Sequence, residues 1–183
     1  MKVYERIKTL VKMITGEVPT SVLISRGMKV GKDFNRQQGS YIDPTHCFLV
    51  EIGNNVTFSI RVTVLAHDAS TKKSLGYTKI GKVVIGDNVF VGANATILPN
   101  VIIGNNSIIG ANSVVSKNIP ENCVAAGNPA RVISSLEEFK TKNFDLTKRS
   151  KVFGKEYRFS RQMTKEKKEE LKRATQHGIA FID

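Results

Sequence analysis

The chain has 183 residues, of which 40% are hydrophobic and 24% are charged, and it carries a formal net charge of +12 at pH 7. This length fits one domain with an extension and excludes a large multidomain machine. The composition is that of a folded globular protein, and no apolar run approaches the roughly 20 residues of a membrane-spanning helix. We therefore expect no stable membrane insertion.

The charge and the cysteines exclude few functions by themselves. Basic residues are concentrated before residue 80 and after residue 133, and such surfaces attract nucleic acids, anionic membranes or phosphorylated small molecules alike. Aromatic residues do not alternate with Lys and Arg as they do in RNA-binding strands, so nucleic-acid binding is not expected. Cys47 and Cys123 lie far apart and form neither a disulfide framework nor a zinc motif. Without a signal-peptide pattern, the reducing cytoplasm is the expected location.

The first predicted element is a helix in the N-terminal segment, residues 1–23. Its apolar residues recur at helical spacing and are Val3, Ile7, Leu10, Val11 and Ile14. This spacing predicts an amphipathic helix that ends near Gly16.

A repeat of six residues dominates the middle of the chain. Residues 85–118 divide into the blocks IGDNVF, VGANAT, ILPNVI, IGNNSI, IGANSV and VSKN. The first position is always β-branched and is occupied by Ile85, Val91, Ile97, Ile103, Ile109 and Val115. The fourth is always asparagine and is occupied by Asn88, Asn94, Asn100, Asn106, Asn112 and Asn118. A period of six fits neither a helix nor a plain strand but a short strand followed by a corner, and asparagine suits such corners because it readily adopts left-handed backbone angles.

The same phase extends to both sides of this stretch. Three earlier hexads begin at Ile52, Phe58 and Val64, and an irregular first coil precedes them, so we predict coils over residues 24–133. Residues 68–79 interrupt the phase and predict a protruding loop. Residues 134–183 form a basic extension, in which 164–177 predict a charged helix capped by Thr164.

The hexads resemble those of the hexapeptide-repeat acyltransferases. Their pattern is an aliphatic residue, glycine, two variable residues, a small or aliphatic residue and a final variable residue. Within that family the chain is similar to galactoside and maltose O-acetyltransferases and to capsular or lipopolysaccharide sugar O-acetyltransferases. The resemblance implies a mainly β fold: a left-handed parallel β-helix with an N-terminal α-helix, an extended loop and a helical C-terminal extension. It also implies a homotrimer with active sites between subunits, and acetyl-CoA as the co-substrate.

His67 is the candidate catalytic residue. It occupies the corner position of its hexad, and the predicted loop begins at the next residue. An imidazole can take the proton of a hydroxyl that attacks a carbonyl carbon. In the enzymes that this chain resembles, a histidine near the start of an extended loop is the general base, and the resemblance gives this role to His67. Because His67 is followed by Asp rather than by Pro, the segment is more like the polysaccharide-linked branch.

The other polar residues near the predicted site have weaker assignments. Asp68 either orients the His67 imidazole or simply begins the loop. His46, beside Cys47, and His177, near a helix end, are interpreted as structural or surface groups.

The resemblance also implies where the coenzyme lies. Its arm runs near Ala93 and Ala111, with Ser116, Lys117 and Arg131 toward the nucleotide, where Lys and Arg suit phosphate groups. No metal is expected.

The leading hypothesis is acetyl-CoA-dependent O-acetylation of a sugar or polysaccharide-precursor hydroxyl, by direct transfer with His67 as the base. One alternative is N-acetylation of an amino sugar. Another is a non-catalytic trimeric binding or assembly protein, which would tolerate His67→Asn. A carbonic-anhydrase-like metalloenzyme is disfavoured, because a catalytic zinc needs about three protein ligands and the coils contain only His46 and His67.

Overall fold

The computed structural model of the protein describes residues 17–158 and 163–183. The chain forms two compact units that divide after Leu136. The helix predicted near the N-terminus, in residues 1–16, lies outside the described residues.

The described chain consists of many very short strands and a few helices. The helices are α1 (Thr20–Ser25), α2 (Lys72–Leu75), α3 (Leu136–Lys148) and α4 (Lys165–Ala174), with 3-10 turns at Cys47–Leu49 and Lys155–Tyr157. The strands are β1 (Lys29–Val30), β2 (Asn35–Arg36), β3 (Tyr41–Ile42), β4 (Val50–Ile52), β5 (Thr57–Phe58), β6 (Thr63–Val64), β7 (His67–Asp68), β8 (Lys79–Ile80), β9 (Val83–Ile85), β10 (Phe90–Val91), β11 (Thr96–Ile97), β12 (Ile102–Ile103), β13 (Ile108–Ile109), β14 (Val114–Val115), β15 (Cys123–Gly127), β16 (Ala130–Ser135), β17 (Val152–Phe153) and β18 (Phe181–Ile182).

Three sheets form the faces of a parallel β-helix. The first sheet has the order β1-β4-β9-β12, the second β2-β5-β10-β13-β15-β16 and the third β3-β6-β11-β14. The chain visits the three sheets in turn, and each coil pairs in parallel with the next, so that Val64, Ile97 and Val115 are in register. The first hexad positions from Ile85 to Val115 are at most 1% exposed. The hexads thus stack their β-branched residues in one interior, as the sequence predicts.

Asparagines at the corners allow the sharp bends between faces. Seven of them have φ between 53° and 64°: Asn55, Asn88, Asn94, Asn100, Asn106, Asn112 and Asn122. Glycine in the second hexad position permits close stacking, since a Cβ on Gly92 would lie 2.5 Å from the backbone nitrogen of Ala111.

Two edges of this prism are referred to below by name. The Asn edge joins the first sheet to the second and carries Asn55, Asn88, Asn106 and Asn122. The His edge joins the third sheet back to the first and comprises residues 43–49, 65–82, 98–101 and 116–118. At the His edge the chain leaves the regular coil twice, after β3 and after β6.

The boundaries of the coil differ from the prediction at its start. Ile24 lies in helix α1, and the first coil begins with β1 at Lys29, because the apolar residues of α1 pack as a helix, with Leu23 fully buried. At the other end, β16 pairs antiparallel with β15 and ends at Ser135.

The predicted loop 68–79 is more ordered than a plain loop. Strands β7 and β8 pair antiparallel at its base, with His67 opposite Ile80 and Asp68 opposite Lys79. Helix α2 occupies the loop between them. His67 therefore stands where this ribbon leaves the prism.

The second unit contains the rest of α3, the parallel pair β17 and β18, and α4. The side chain of Thr164 caps α4 by accepting a hydrogen bond from the backbone nitrogen of Lys167 at 3.3 Å, at the N-cap position that the sequence predicts. The helix ends at Ala174, three residues before the predicted end. In the described ranges 17–158 and 163–183, no helix is both long and apolar enough to cross a membrane.

Candidate active site

Asp43 is the buried centre of the His edge. It directly follows β3, and its side chain is fully buried. One carboxylate oxygen, Oδ1, accepts hydrogen bonds from the backbone nitrogen and hydroxyl of Thr45 (3.0 and 2.7 Å) and from the backbone nitrogen of His46 (3.2 Å). Aspartate commonly bonds the backbone of the next residues in this way. Asp43 thereby shapes the excursion that ends in the 3-10 turn Cys47–Leu49.

The second oxygen of Asp43 reaches the next coil. Oδ2 accepts the backbone nitrogen of Ala66 at 3.3 Å and lies 2.5 Å from Nδ1 of His67. Strands β3 and β6 bring the two residues together, since Ile42 pairs with Val64. The carboxylate and the imidazole are 24 residues apart in sequence but adjacent in the stack of coils.

Asp43 is ionised near neutral pH. Burial alone would raise its pKa, but the hydrogen bonds from His67 and Thr45 outweigh burial and lower the pKa from 3.8 to about 2. The short contact between Asp43 Oδ2 and His67 Nδ1 therefore needs a proton on Nδ1. This network assigns His67 the tautomer in which Nδ1 is the donor, which leaves a lone pair on Nε2 of the neutral ring.

The His67 side chain is 32% exposed. Unlike the corner asparagines, His67 belongs to an extended strand, β7, because the chain leaves the prism at this point. One side of the ring is thus held by a buried carboxylate while another part faces solvent. An imidazole in this setting can accept a proton from a bound group through Nε2.

His46 is the second histidine of the site, although its sequence suggested a structural or surface group. Its ring centroid is 4.8 Å from that of His67, and the planes are tilted by 40°. Its Nδ1 lies 2.9 Å from the hydroxyl oxygen of Thr45 and 3.6 Å from Oδ2 of Asp43. The His46 side chain is 29% exposed.

Asp68 does not supply the carboxylate for His67. Its Oδ2 pairs with Nζ of Lys79 at 2.6 Å, and its Oδ1 accepts the backbone nitrogen of Ser70 at 2.8 Å. Both contacts hold the pKa of Asp68 well below its usual range. Neighbouring residues of an extended strand point to opposite sides, which explains why His67 turns toward Asp43 and Asp68 toward the ribbon. Of the two roles considered for Asp68, the start of the loop fits this geometry, and Asp43 rather than Asp68 is the carboxylate that contacts the imidazole.

The predicted coenzyme residues lie around the third sheet. Ala93 and Ala111 follow β10 and β13 at the corner that leads into this sheet, where the carbonyl oxygen of Ala93 accepts the nitrogen of Asn112 at 2.8 Å. Ser116 and Lys117 follow β14 at the opposite corner, in line with the His edge, and both are exposed.

Arg131, the fifth predicted coenzyme residue, is exposed on β16, opposite Ala126. The structure therefore brings His67, Ser116 and Lys117 to the same edge and places Ala93 and Ala111 across the face from them.

Asp43, His46 and His67 together form a possible set of metal ligands. One donor atom from each lies within 4.8 Å of the others. Two imidazoles and a carboxylate are a ligand set found in metal sites. In this structure both carboxylate oxygens of Asp43 already accept hydrogen bonds, so a metal ion would compete with these donors for the oxygens. The donors belong to Thr45, His46, Ala66 and His67. The absence of a metal requirement remains a prediction.

Sequence reasoning missed Asp43 and Thr45. A signal was present, because placing Ile42 in the same inward column as Val64 puts the segment Asp43–His46 at the same edge as His67. The irregular first coil hid this register, which the structure gives as Ile42 opposite Val64.

The comparisons with known proteins agree with this fold. Residues 82–117 match the family model described as bacterial transferase hexapeptide (six repeats). Protein CapG of Staphylococcus aureus is 45% identical over 109 residues, which cover 56% of this chain and 63% of that protein.

Two solved structures are also similar. A maltose O-acetyltransferase from Clostridium difficile 630 is 39% identical with a TM-score of 0.53, and the match covers 60% of this chain and 59% of that one. A hexapeptide-repeat-containing acetyltransferase from Vibrio cholerae O1 biovar eltor, complexed with acetyl-coenzyme A, is 25% identical with a TM-score of 0.55 and a coverage of 61% of both chains. The chain thus spans less than two thirds of the length of these proteins. The predicted resemblance and the predicted mainly β fold are confirmed: residues 82–117 match the hexapeptide transferase model, and the similar proteins include acetyltransferases.

Proposed function

We propose that the chain is an acetyl-CoA-dependent O-acetyltransferase that acetylates a hydroxyl of a sugar or polysaccharide precursor, with His67 as general base. The observation that carries this proposal is the pair of Asp43 and His67, in which a buried carboxylate holds Nδ1 of a half-buried imidazole at 2.5 Å. The similarity to a maltose O-acetyltransferase and to an acetyltransferase complexed with acetyl-coenzyme A supports the reaction class.

The proposed reaction is a direct transfer. Nε2 of His67 takes the proton of the acceptor hydroxyl while the hydroxyl oxygen forms a bond to the thioester carbonyl carbon. Asp43 stabilises the imidazolium that results and keeps the ring in place. As the carbon–sulfur bond breaks, the imidazolium returns the proton to the CoA thiolate. The products are an acetyl ester and free CoA, and His67 is again neutral.

The burial of both cysteines disfavours an acyl-cysteine intermediate. Cys47 is 1% exposed and Cys123 is 4% exposed. Buried cysteines behave as small apolar side chains. Both thiols pack inside the prism, away from solvent, so direct transfer is the simpler mechanism.

The proposed coenzyme path follows the third sheet. We place its arm near Ala93 and Ala111 and its phosphates near Lys117 and Arg131, with Ser116 beside them. We also expect a homotrimer in which a neighbouring copy completes each site, a cytoplasmic location and a role in polysaccharide biosynthesis. No metal is needed for the proposed steps.

The test is an acceptor screen with acetyl-CoA. Purified protein is mixed with simple sugars, methyl glycosides and amino sugars, free CoA is followed with a thiol reagent, and products are identified by mass spectrometry. We expect an acetyl ester on a sugar, and His67→Ala should lower kcat by about 10²-fold or more. His177→Ala, which changes an exposed histidine beyond the repeat region, is the matched control and should keep full activity.

Other outcomes separate the alternatives. Acetyl amides as the main products would favour N-acetylation of an amino sugar. No release of CoA with any acceptor, together with a stable His67→Asn variant, would favour a binding or assembly protein. Loss of activity on exhaustive chelation would contradict the metal-free mechanism.

A further inference from the structure

His46 is the imidazole that the proposed reaction does not use. It lies on the same buried carboxylate as His67, and the two side chains are similarly exposed, at 29% and 32%. A single base needs no second histidine beside it. The hydrogen bonds around His46 show what this side chain offers to a bound molecule.

The network assigns the protonation of His46 as well as that of His67. The hydroxyl of Thr45 has one proton, and its oxygen lies 2.7 Å from Oδ1 of the ionised Asp43, so that proton lies between the two oxygens. The hydroxyl oxygen of Thr45 can then only accept from Nδ1 of His46, at 2.9 Å. Neutral His46 therefore carries its proton on Nδ1 and a lone pair on Nε2, as neutral His67 does.

In both rings Nδ1 is the nitrogen that contacts the buried carboxylate. The two Nδ1 atoms lie 2.5 and 3.6 Å from Oδ2 of Asp43, so Nε2 is the nitrogen of each ring that this contact leaves over. In the described part of the chain, neither Nε2 has a hydrogen-bond partner. The site thus presents two neighbouring acceptors, on rings 4.8 Å apart, that lack donors.

We propose that the acceptor substrate is a vicinal diol: one hydroxyl gives its proton to His67, and the hydroxyl on the neighbouring carbon donates a hydrogen bond to Nε2 of His46. This inference rests on the proposed function and names its substrate class. Two hydrogen bonds of about 2.8 Å can converge from adjacent hydroxyls onto rings this close. His46 is then a specificity residue that fixes which hydroxyl faces the base.

Phe48 adds an apolar surface beside this pair. Its side chain is 54% exposed although it is a large hydrophobic residue, and its ring centroid is 6.0 Å from that of His46. Gly27 makes room for it, since a Cβ there would lie 2.9 Å from Cβ of Phe48. Ligand sites typically combine such apolar surface with a few polar groups that set orientation. A sugar ring offers both an apolar face and an edge of hydroxyls.

The test compares diols with single alcohols in wild type and in His46→Ala. The probes are cis-1,2-cyclohexanediol against cyclohexanol, and the best methyl glycoside of the acceptor screen against its monodeoxy derivatives. We expect wild type to favour the diol by about 3- to 10-fold in kcat/KM, the value of one net hydrogen bond. In His46→Ala this preference should disappear, because the KM for the diol rises by more than the KM for cyclohexanol. The deoxy sugars that keep the acetylated hydroxyl give a second comparison. In wild type, kcat/KM should fall only for the sugar that lacks the hydroxyl next to the acetylated one. In His46→Ala, removal of that neighbouring hydroxyl should cause no further loss.

Two further variants guard against a structural explanation. His46→Gln places an amide oxygen near the position of Nε2 and should restore part of the diol preference. Thr45→Val removes the hydroxyl that fixes the tautomer, and nitrogen-15 NMR of the histidines should then show that His46 loses its Nδ1–H form. His177→Ala should keep the wild-type preference.

The possible failures can be told apart. If His67-dependent acetylation occurs but the diol preference is unchanged in His46→Ala, or if diol and single alcohol lose rate equally, the inference is wrong and the proposed function stands. If no alcohol is acetylated in a His67-dependent manner, the proposed function fails and the inference fails with it.

Discussion

Of the two edges that border the first sheet, one is closed by a continuous ladder and the other is opened by two excursions of the chain. On the Asn edge, Nδ2 of each asparagine donates to Oδ1 of the asparagine in the next coil, at 2.9, 3.0 and 2.9 Å. On the His edge, the corner residues of the first two coils are replaced by Asp43–Leu49 and by the ribbon that begins at His67. The two edges therefore differ in role. The regular repeat makes the Asn edge rigid, and this rigid support lets the irregular segments of the His edge hold reactive groups at fixed distances.

The largest effect should come from removing the charge at the centre of the His edge. Asp43→Asn keeps the shape but cannot stabilise an imidazolium, and its amide can hold the ring in the wrong tautomer. We expect kcat to fall by about 10²-fold, measured with the best acceptor of the screen. Circular dichroism should show a retained fold. A variant with wild-type kcat would contradict the role of Asp43.

The same substitution should alter stability in acid. Because the pKa of Asp43 is lowered in the folded chain from 3.8 to about 2, its charge stabilises the fold above pH 3.8, and this contribution is lost as the pH falls toward 2. The loss is on the order of 2 kcal/mol. Denaturant unfolding of wild type should therefore weaken more steeply between pH 4 and 2 than unfolding of Asp43→Asn. Parallel curves for the two proteins would argue against this coupling.

A substitution at the Asn edge should lower the stability of the fold but leave kcat unchanged. Asn88→Ala removes two side-chain hydrogen bonds of the ladder and places alanine at φ 56°, which we expect to lower the free energy of unfolding by about 1–2 kcal/mol. Asn88→Gly, which accepts this φ, should lose less. Both variants should keep the wild-type kcat at temperatures where they are folded. A reduced kcat in folded Asn88→Gly would show that the two edges are coupled.

The smallest effect is expected at the neighbour of His67. Asp68→Asn breaks the ion pair with Lys79, whose side chains are 36% and 58% exposed, and exposed pairs contribute little. We expect kcat within about twofold of wild type. Together with Asp43→Asn, this variant shows which of the two carboxylates near His67 matters for activity. A large loss of activity in Asp68→Asn would indicate that Asp68 orients the imidazole.

The sequence was sufficient wherever the repeat was regular. The β-branched column from Ile85 to Val115 predicted short strands joined by corners, and the resemblance to hexapeptide-repeat proteins implied that these strands stack as a parallel β-helix. His67 could be placed at the His edge from its position in the hexad, although it lies there in the extended strand β7 and not in a tight corner. Asp43 was not placed, because its contact with His67 crosses coils that are offset by 22 residues at Ile42 and Val64, and the signal in this segment can be read only once that irregular register is known. The side to which the Asp68 side chain points could not be predicted either. It depends on the ribbon of β7 and β8, and strands of two residues are too short to show an alternating pattern in the sequence.

The two ends of the prism determine how copies of this chain can meet. At the start, Leu23 of α1 is buried in the same core as the first coil, and at the finish, antiparallel β16 covers the last parallel strand of the second sheet. Open strand edges invite another chain to continue the hydrogen bonding, as in fibrils. Coverage at these two places disfavours continuation of the stack into filaments there, whereas self-association through the flat faces of the prism needs no open strand edge.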